Sequence, residues 1–191
     1  MHNYNFIIGS KSPRRQELFK AISTDFEIIV KEVEEVYPEF LQSFEIPQYL
    51  SDLKSNAYRE LLKQSDDNKV VMTADTMVVL DNKVLGKPKS EEEAVEMLQS
   101  LSGKMHEVIT GVTLMKNGKK LSFSESSKVY FNELTLSEIE YYVKNYQPLD
   151  KAGSYGIQEF IGMIGINKID GCYYNIMGLP VNRIYNELKT F

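Results

Sequence analysis

Tyr4-Asn5-Phe6-Ile7-Ile8-Gly9-Ser10-Lys11-Ser12-Pro13-Arg14-Arg15-Gln16-Glu17-Leu18-Phe19-Lys20-Ala21-Ile22 reads as strand, tight turn and helix. Phe6 to Ile8 is a short apolar run suited to a buried strand, and Gly9-Ser10 breaks it. Ser12 offers a capping hydroxyl. Pro13 suits the first helical turn, where a missing N–H costs nothing. Leu18, Phe19 and Ile22 then recur at helical spacing. The turn gathers two hydroxyls and three cations: Ser10, Lys11, Ser12, Arg14 and Arg15. Cations at a helix N-terminus oppose the helix dipole, a small cost that a bound anion offsets. The guanidinium fork matches phosphate or carboxylate bidentately. Anion binding and an ordinary capped helix are both open on this stretch alone.

The whole chain limits which anion. Its 191 residues suffice for one domain or two joined lobes, and 42% hydrophobic with 26% charged residues describes a soluble globular protein. Net charge is −5, so any anion site is a local basic pocket, which argues against broad nucleic-acid binding but not against a nucleotide. The single cysteine, Cys172, excludes an intrachain disulfide framework and fits a reducing compartment; its apolar-aromatic surroundings predict packing rather than reactivity. No signal peptide is visible and no apolar run reaches membrane-spanning length, so a cytoplasmic location with no membrane partner is expected. The only histidines are His2 and His106, so any metal must be held by carboxylates and substrate phosphates, the chemistry of magnesium or manganese.

Downstream, Phe26–Val30 reads as a strand, followed by an acidic stretch with Glu32, Glu34 and Glu35. Such stretches are mostly solvated loops; the alternative is that one glutamate holds a metal. Residues 45–63 form one amphipathic helix carrying Lys54. Lys69–Leu80 is a long apolar strand interrupted chemically by Asp75-Thr76. A carboxylate inside a buried run is costly unless paired, metal-bound or open to a cleft, which makes Asp75 the best candidate for metal ligation or general-base work on a water. Asp81-Asn82 turns the chain into strand Lys83–Leu85. Gly86-Lys87-Pro88 then presents a lysine on a stiff loop, able to reach a phosphate. Ser90 and Glu93 predict a capping box opening helix 91–101, which Gly103 ends. Asn117-Gly118 joins strands 105–115 and 120–131 as a hairpin, and His106 at the start of the first is read as structural. Ser137 and Glu140 predict a second box opening helix 138–146. Residues 148–159 are too polar and glycine-rich for a core element. They carry Asp150, Lys151 and Gln158, whose amide offers a base both a donor and an acceptor. Phe160–Ile169 is expected as a strand with Gly162 and Gly165 at bulges or close approaches. Asp170-Gly171 then turns the chain, Cys172–Ile176 returns as the paired strand, and a last helix begins after Gly178-Leu179-Pro180.

This order predicts a mixed α/β protein: an elongated mixed sheet flanked by helices, one domain over residues 1–191, with two lobes and a central cleft. One picture connects the parts, though others are compatible. Ser10, Ser12, Arg14, Arg15, Lys54 and Lys87 hold phosphates, Asp75 and Glu35 hold a metal, and Gln158 reads a base.

The motifs also carry a resemblance. Ser10-Lys11-Ser12-Pro13-Arg14-Arg15-Gln16-Glu17-Leu18, Val33-Glu34-Glu35, Lys54, Ala74-Asp75-Thr76, Leu85-Gly86-Lys87-Pro88 and Leu101-Ser102-Gly103 are followed by Asp150-Lys151-Ala152-Gly153-Ser154-Tyr155-Gly156-Ile157-Gln158 and Met177-Gly178-Leu179-Pro180. Each is weak alone; in this order, along essentially the whole chain, they resemble the Maf family of nucleoside triphosphate pyrophosphatases. The resemblance implies a Maf/ITPase-like fold, a divalent metal cation, and hydrolysis of a nucleoside triphosphate to the monophosphate and pyrophosphate. It implies Asp75 as catalytic proton acceptor and Arg14, Thr76 and Gln158 as determinants of base preference. Arg-Arg after the proline, Ala-Asp-Thr and Tyr-Gly-Ile-Gln resemble the branch acting on dTTP and UTP, with modified pyrimidine nucleotides as further substrates. The sister branch, acting on 7-methyl-GTP, has a tryptophan after the proline, and this chain has none. A homodimer is also implied. A non-hydrolysing, nucleotide-sensing regulator of cell division is the reading from another class. The chain departs from the family pattern at Gly9, where alanine is common, at Ser51 and Ser55 in place of alanines, and at Glu159, where glycine is frequent.

Overall fold

The computed structural model describes residues 4–65 and 68–191. His2 lies outside the described residues. In chain order the elements are β1 (Asn5–Ile8), α1 (Pro13–Phe19), β2 (Phe26–Ile28), α2 (Ile46–Asn56), α3 (Arg59–Lys63), β3 (Lys69–Leu80), β4 (Lys83–Leu85) and α4 (Glu91–Leu101). There follow β5 (Met105–Lys116), β6 (Lys119–Phe131), α5 (Leu136–Tyr146), two 3₁₀ turns at Pro148–Asp150 and Ala152–Ser154, α6 (Phe160–Gly165), β7 (Ile166–Asp170), α7 (Tyr173–Ile176) and α8 (Val181–Leu188). Among the described residues the strands form an open seven-stranded sheet in the order β2-β1-β3-β5-β6-β7, with β4 beside β3. It is mixed, as expected: β1 pairs parallel with β2 and β3, while β3/β4 and β6/β7 are antiparallel.

The chain divides into two compact units. The first comprises the chain up to Asp75, Thr110–Glu125 and Gly178–Phe191. Its parallel strands β1 and β3 read as near-continuous apolar runs and are largely buried, whereas β2 at the sheet edge is mostly exposed. Ile7 and Val71 on β1 and β3 pack with Tyr58, Leu62 and Met115. Gly111 on β5 lets α2 lie against the strand backbone: a Cβ there would stand 2.2 Å from the carbonyl of Pro47. The second unit comprises Thr76–Ile109 and Ser126–Met177. Its core gathers Ala94, Leu98 and Leu101 of α4 and Ile139, Tyr142 and Val143 of α5 with Val78, Val108, Val129 and Ile161. Each fully buried aliphatic side chain there contributes about 2 kcal/mol of transfer free energy. Asp81 and Asn82 both adopt positive φ, 49° and 62°, and close the β3–β4 hairpin tightly.

Several expected boundaries move. The helix expected over 45–63 is broken between α2 and α3. Tyr58 is buried there and its hydroxyl donates to Ile29 O (2.7 Å) while accepting from Lys31 N (3.1 Å), a connection a continuous helix would forgo. Strand β2 ends at Ile28 rather than Val30. The capping box of α5 is Thr135 with Glu138, not Ser137 with Glu140, because this phase turns Ile139, Tyr142 and Val143 inward. Ser90 caps α4, but the Glu93 carboxylate accepts from Lys89 N. The strand expected over 160–169 is helix α6 followed by β7: Gly162 brings the helix so close to Ile157 O that a Cβ would stand 2.1 Å away. The return strand expected over 172–176 is helix α7. Buried Asn175 donates to Val108 O and Ser127 Oγ, a side-chain connection in place of strand pairing.

Candidate active site

In the first unit the basic turn between β1 and α1 is built as its residue types suggest. Ser12 Oγ accepts from Arg15 N at 3.4 Å and caps the helix. Buried Ser10 accepts from Ser12 N through its hydroxyl, and its carbonyl accepts from Gln16 Nε2. Arg15 spends much of its guanidinium on the scaffold: Nε donates to Gly178 O (2.9 Å), and Nη1 to Ala74 O (2.8 Å) and Ser10 Oγ (3.5 Å). It staples the turn to β3 and to the segment leading into α8. Burial draws its pKa down and the charge of Asp75 pulls it back up. Arg14, next in the turn, is half-buried.

Lys54 on α2 joins the two carboxylates singled out above. Its ammonium lies 2.5 Å from Asp75 Oδ1 and 2.9 Å from Glu35 Oε1. Asp75 on β3 is buried, while the Glu35 side chain, from a loop, is more than half exposed. Burying an ionised carboxylate is unfavourable unless it is paired, and Lys54 supplies the partner. The two carboxylates therefore converge on a single cationic atom. Among the described residues no group of three or more His, Cys, Asp or Glu side chains is poised to hold a metal. The donor set present is two hard carboxylates, which suits magnesium or manganese when phosphate oxygens complete the shell. The serines flanking Lys54 are fully buried and satisfied: Ser51 Oγ donates to Gln48 O, and Ser55 Oγ to Asp52 O.

In the second unit, Thr76 follows Asp75 on β3, and Lys87 is exposed on its loop, whose Gly86 carbonyl accepts from Gly153 N (3.0 Å). The segment 150–159 is ordered by an ionic cluster that residue types hinted at but pattern could not assemble. Buried Lys151 lies 2.8 Å from Asp150 Oδ1 and 3.2 Å from Glu159 Oε1. The other carboxylate oxygen of Glu159 accepts from the Tyr142 hydroxyl, which accepts from Gly156 N. Burial and the Glu159 carboxylate push the Tyr142 pKa up, so this hydroxyl stays a donor. Gln158 Oε1 is buried with no hydrogen-bond partner among the described residues. An unpartnered buried carbonyl oxygen costs about 1–3 kcal/mol, which a ligand N–H would relieve. His106 is a core residue: Nε2 meets Tyr155 OH at 2.7 Å, Phe131 and Tyr155 pack edge-on against the ring, and burial pulls its pKa down to about 4.

The family model described as "Maf-like protein" matches residues 5–191. The chain belongs to the Maf-like family. Its relatives include proteins named dTTP/UTP pyrophosphatase from Bacteroides thetaiotaomicron, 49% identical over 99% of this chain and 97% of that one, and from Christiangramia forsetii, 48% identical over 99% and 95%. The Porphyromonas gingivalis (strain W83) protein of the same name is 45% identical over 100% of this chain and 96% of its own length. Among solved structures, the Staphylococcus aureus Ham1 protein shares the fold: TM-score 0.56, 18% identity, covering 97% of this Maf-like chain and 98% of that one. The mixed sheet flanked by helices expected from sequence is therefore found twice over, in the strand order and in this neighbour.

Proposed function

We propose that this chain is a nucleoside triphosphate pyrophosphatase that hydrolyses dTTP and UTP to the monophosphate and pyrophosphate, the whole span 1–191 acting as one catalytic domain in the cytoplasm. The observation that carries the reading is the buried Asp75 paired with Lys54 beside the Ser10–Arg15 turn, in a chain whose relatives bear that name. Among the described residues no helix is long and apolar enough to cross a membrane.

Lys54 pairs with both Asp75 and Glu35 and orients the Asp75 carboxylate. Asp75 takes the proton of the water that attacks the α-phosphorus. The bond from that phosphorus to the bridging oxygen breaks, and pyrophosphate leaves. Its charge is held by Ser10, Ser12, Arg15, Lys54 and Lys87 as hydrogen-bond donors and cations, so that electrostatic positioning dominates. Glu35 and Asp75 would hold a magnesium or manganese ion, which when bound supplies positive charge against the phosphates. Arg14, Thr76 and Gln158 select the base. The imide edge of uracil or thymine offers an N–H to Gln158 Oε1 and a carbonyl to its amide N–H. Modified pyrimidines that keep this edge are further substrates, and a homodimer is the assembly proposed.

Incubation with UTP and a magnesium or manganese salt should yield UMP and pyrophosphate. UDP with phosphate would mean attack at the γ-phosphorus and overturn the assignment. Binding without turnover of UTP, dTTP or 7-methyl-GTP would favour a sensor, and turnover of 7-methyl-GTP alone the sister activity. Asp75→Asn should lower turnover on the order of 10²–10⁴-fold while nucleotide binding persists; full activity in this variant removes Asp75 from the chemistry.

A further inference from the structure

Glu159 directly follows Gln158, and both oxygens of its carboxylate are engaged. One oxygen pairs with buried Lys151 (3.2 Å), which also holds Asp150 (2.8 Å). The other accepts from Tyr142 on α5, and that hydroxyl accepts from Gly156 N at 3.0 Å. The carboxylate lies so close over Gly156 that a Cβ there would meet Glu159 Cδ at 2.7 Å. Glu159 N donates to Gly156 O (3.0 Å), closing a tight turn over residues 156–159. On the other side, Gly162 of α6 contacts the Ile157 carbonyl, and Ile157 is buried in the core. Gln158 is thus held between two fixed neighbours, although its own side-chain oxygen has no partner among the described residues.

We infer that Glu159 is a positioning residue for base recognition: by tying Tyr142 and Lys151 to the turn at Gly156, it fixes the backbone from which Gln158 presents its amide to a uracil or thymine imide. The inference rests on the pyrophosphatase reading above and adds to it a residue that does not touch the substrate. The physical reason is pre-organisation. An amide on a loose turn must be ordered at the moment of binding, and it can rotate to pair with cytosine, whose edge reverses the donor and acceptor. A rigid turn favours one orientation. Its loss should therefore appear in KM and in base choice rather than in the chemical step.

The test compares the wild type with Tyr142→Phe, Glu159→Gln and Glu159→Ala, after a cooperative melt shows each variant to be folded. For UTP and CTP, kcat and KM are measured. Glu159→Ala should raise KM for UTP about tenfold, leave kcat within about threefold, and narrow the UTP-to-CTP preference by a similar factor. Tyr142→Phe should do the same more weakly. Glu159→Gln keeps an acceptor for Tyr142 but not the charge opposite Lys151, so it should fall between wild type and Glu159→Ala. Hydrogen exchange should quicken across residues 155–159 in Glu159→Ala and not in α4. An unchanged UTP-to-CTP ratio in Glu159→Ala, with wild-type turnover intact, overturns the positioning role alone; so does a fall in kcat with KM unmoved. Failure of the wild type to form UMP from UTP would instead remove the reading on which the inference stands.

Discussion

Gly9 follows β1, and its surroundings leave little room for a side chain. A Cβ would stand 2.8 Å from the Tyr58 hydroxyl and 2.9 Å from Thr73 Cγ2, and that hydroxyl is fixed by Ile29 O and Lys31 N. Gly9→Ala should therefore destabilise the protein by about 1–3 kcal/mol in urea titration, and adding Tyr58→Phe should restore part of that loss. Equal midpoints for Gly9→Ala and wild type would mean that Tyr58 yields freely. His106 gives a second residue-scale prediction. Its pKa is about 4 in the fold against 6.5 for the unperturbed group, because burial penalises the charged ring. Between those values the unfolded chain binds the proton and the folded one does not. Stability from this residue is thus complete above pH 6.5 and lost as pH falls toward 4, on the order of 3 kcal/mol in all. His106→Gln, which keeps a partner for Tyr155, should flatten the stability profile in that window; an unchanged slope would assign the acid sensitivity to other groups. Residue chemistry was the most legible level of the sequence. A carboxylate inside an apolar strand marked Asp75, whereas the partner of Glu159 was invisible, since Tyr142 lies seventeen positions earlier on a helix whose phase had to be known first.

Elements were legible where periodicity was long and less so where glycines set close approaches. Helix α4 keeps the expected bounds because its cap and its Gly103 stop agree. Helices α6 and α7 escaped because Phe160-Ile161-Gly162-Met163-Ile164-Gly165 and Cys172–Ile176 have strand-like composition; what makes α6 a helix is the room Gly162 leaves beside Ile157, a tertiary fact. The same kind of contact sets a prediction for α2. A Cβ at Gly111 meets the Pro47 carbonyl at 2.2 Å, so Gly111→Ala must push α2, and Lys54 with it, away from β5. A loss of about 3 kcal/mol or more is expected by urea unfolding, together with a raised KM for UTP. Gly86→Ala, whose Cβ would meet nothing within 4 Å, should change stability by less than about 0.5 kcal/mol. Similar losses in the two variants would mean that glycine flexibility, rather than space, governs both.

At the scale of the molecule, the net charge of −5 surrounds a basic turn whose cations are few and largely engaged: Arg15 with backbone carbonyls, Lys54 with carboxylates, Lys11 with Glu32. A polynucleotide needs a run of phosphate contacts, and from this charge balance we propose that none binds. A fluorescent single-stranded oligonucleotide should show no anisotropy change with micromolar protein at physiological salt, and saturable binding would refute this view. The mixed sheet was legible from hairpin signals interleaved with helices. Two lobes were expected, but which segments make up each compact unit was not legible, because both draw on segments far apart in sequence and β3 changes unit between Asp75 and Thr76 with no break in its apolar pattern.

The contact between Gly156 and the carboxylate of Glu159 also matters to anyone who would redesign this turn. The backbone at position 156 lies outside the left-handed region, so what a side chain there meets is the Glu159 carboxylate, a volume taken three positions later. A larger residue at 156 must displace that carboxylate and with it the ties to Lys151 and Tyr142, whereas a trimmed residue at 159 leaves the volume open. An engineer therefore has to choose the two side chains together.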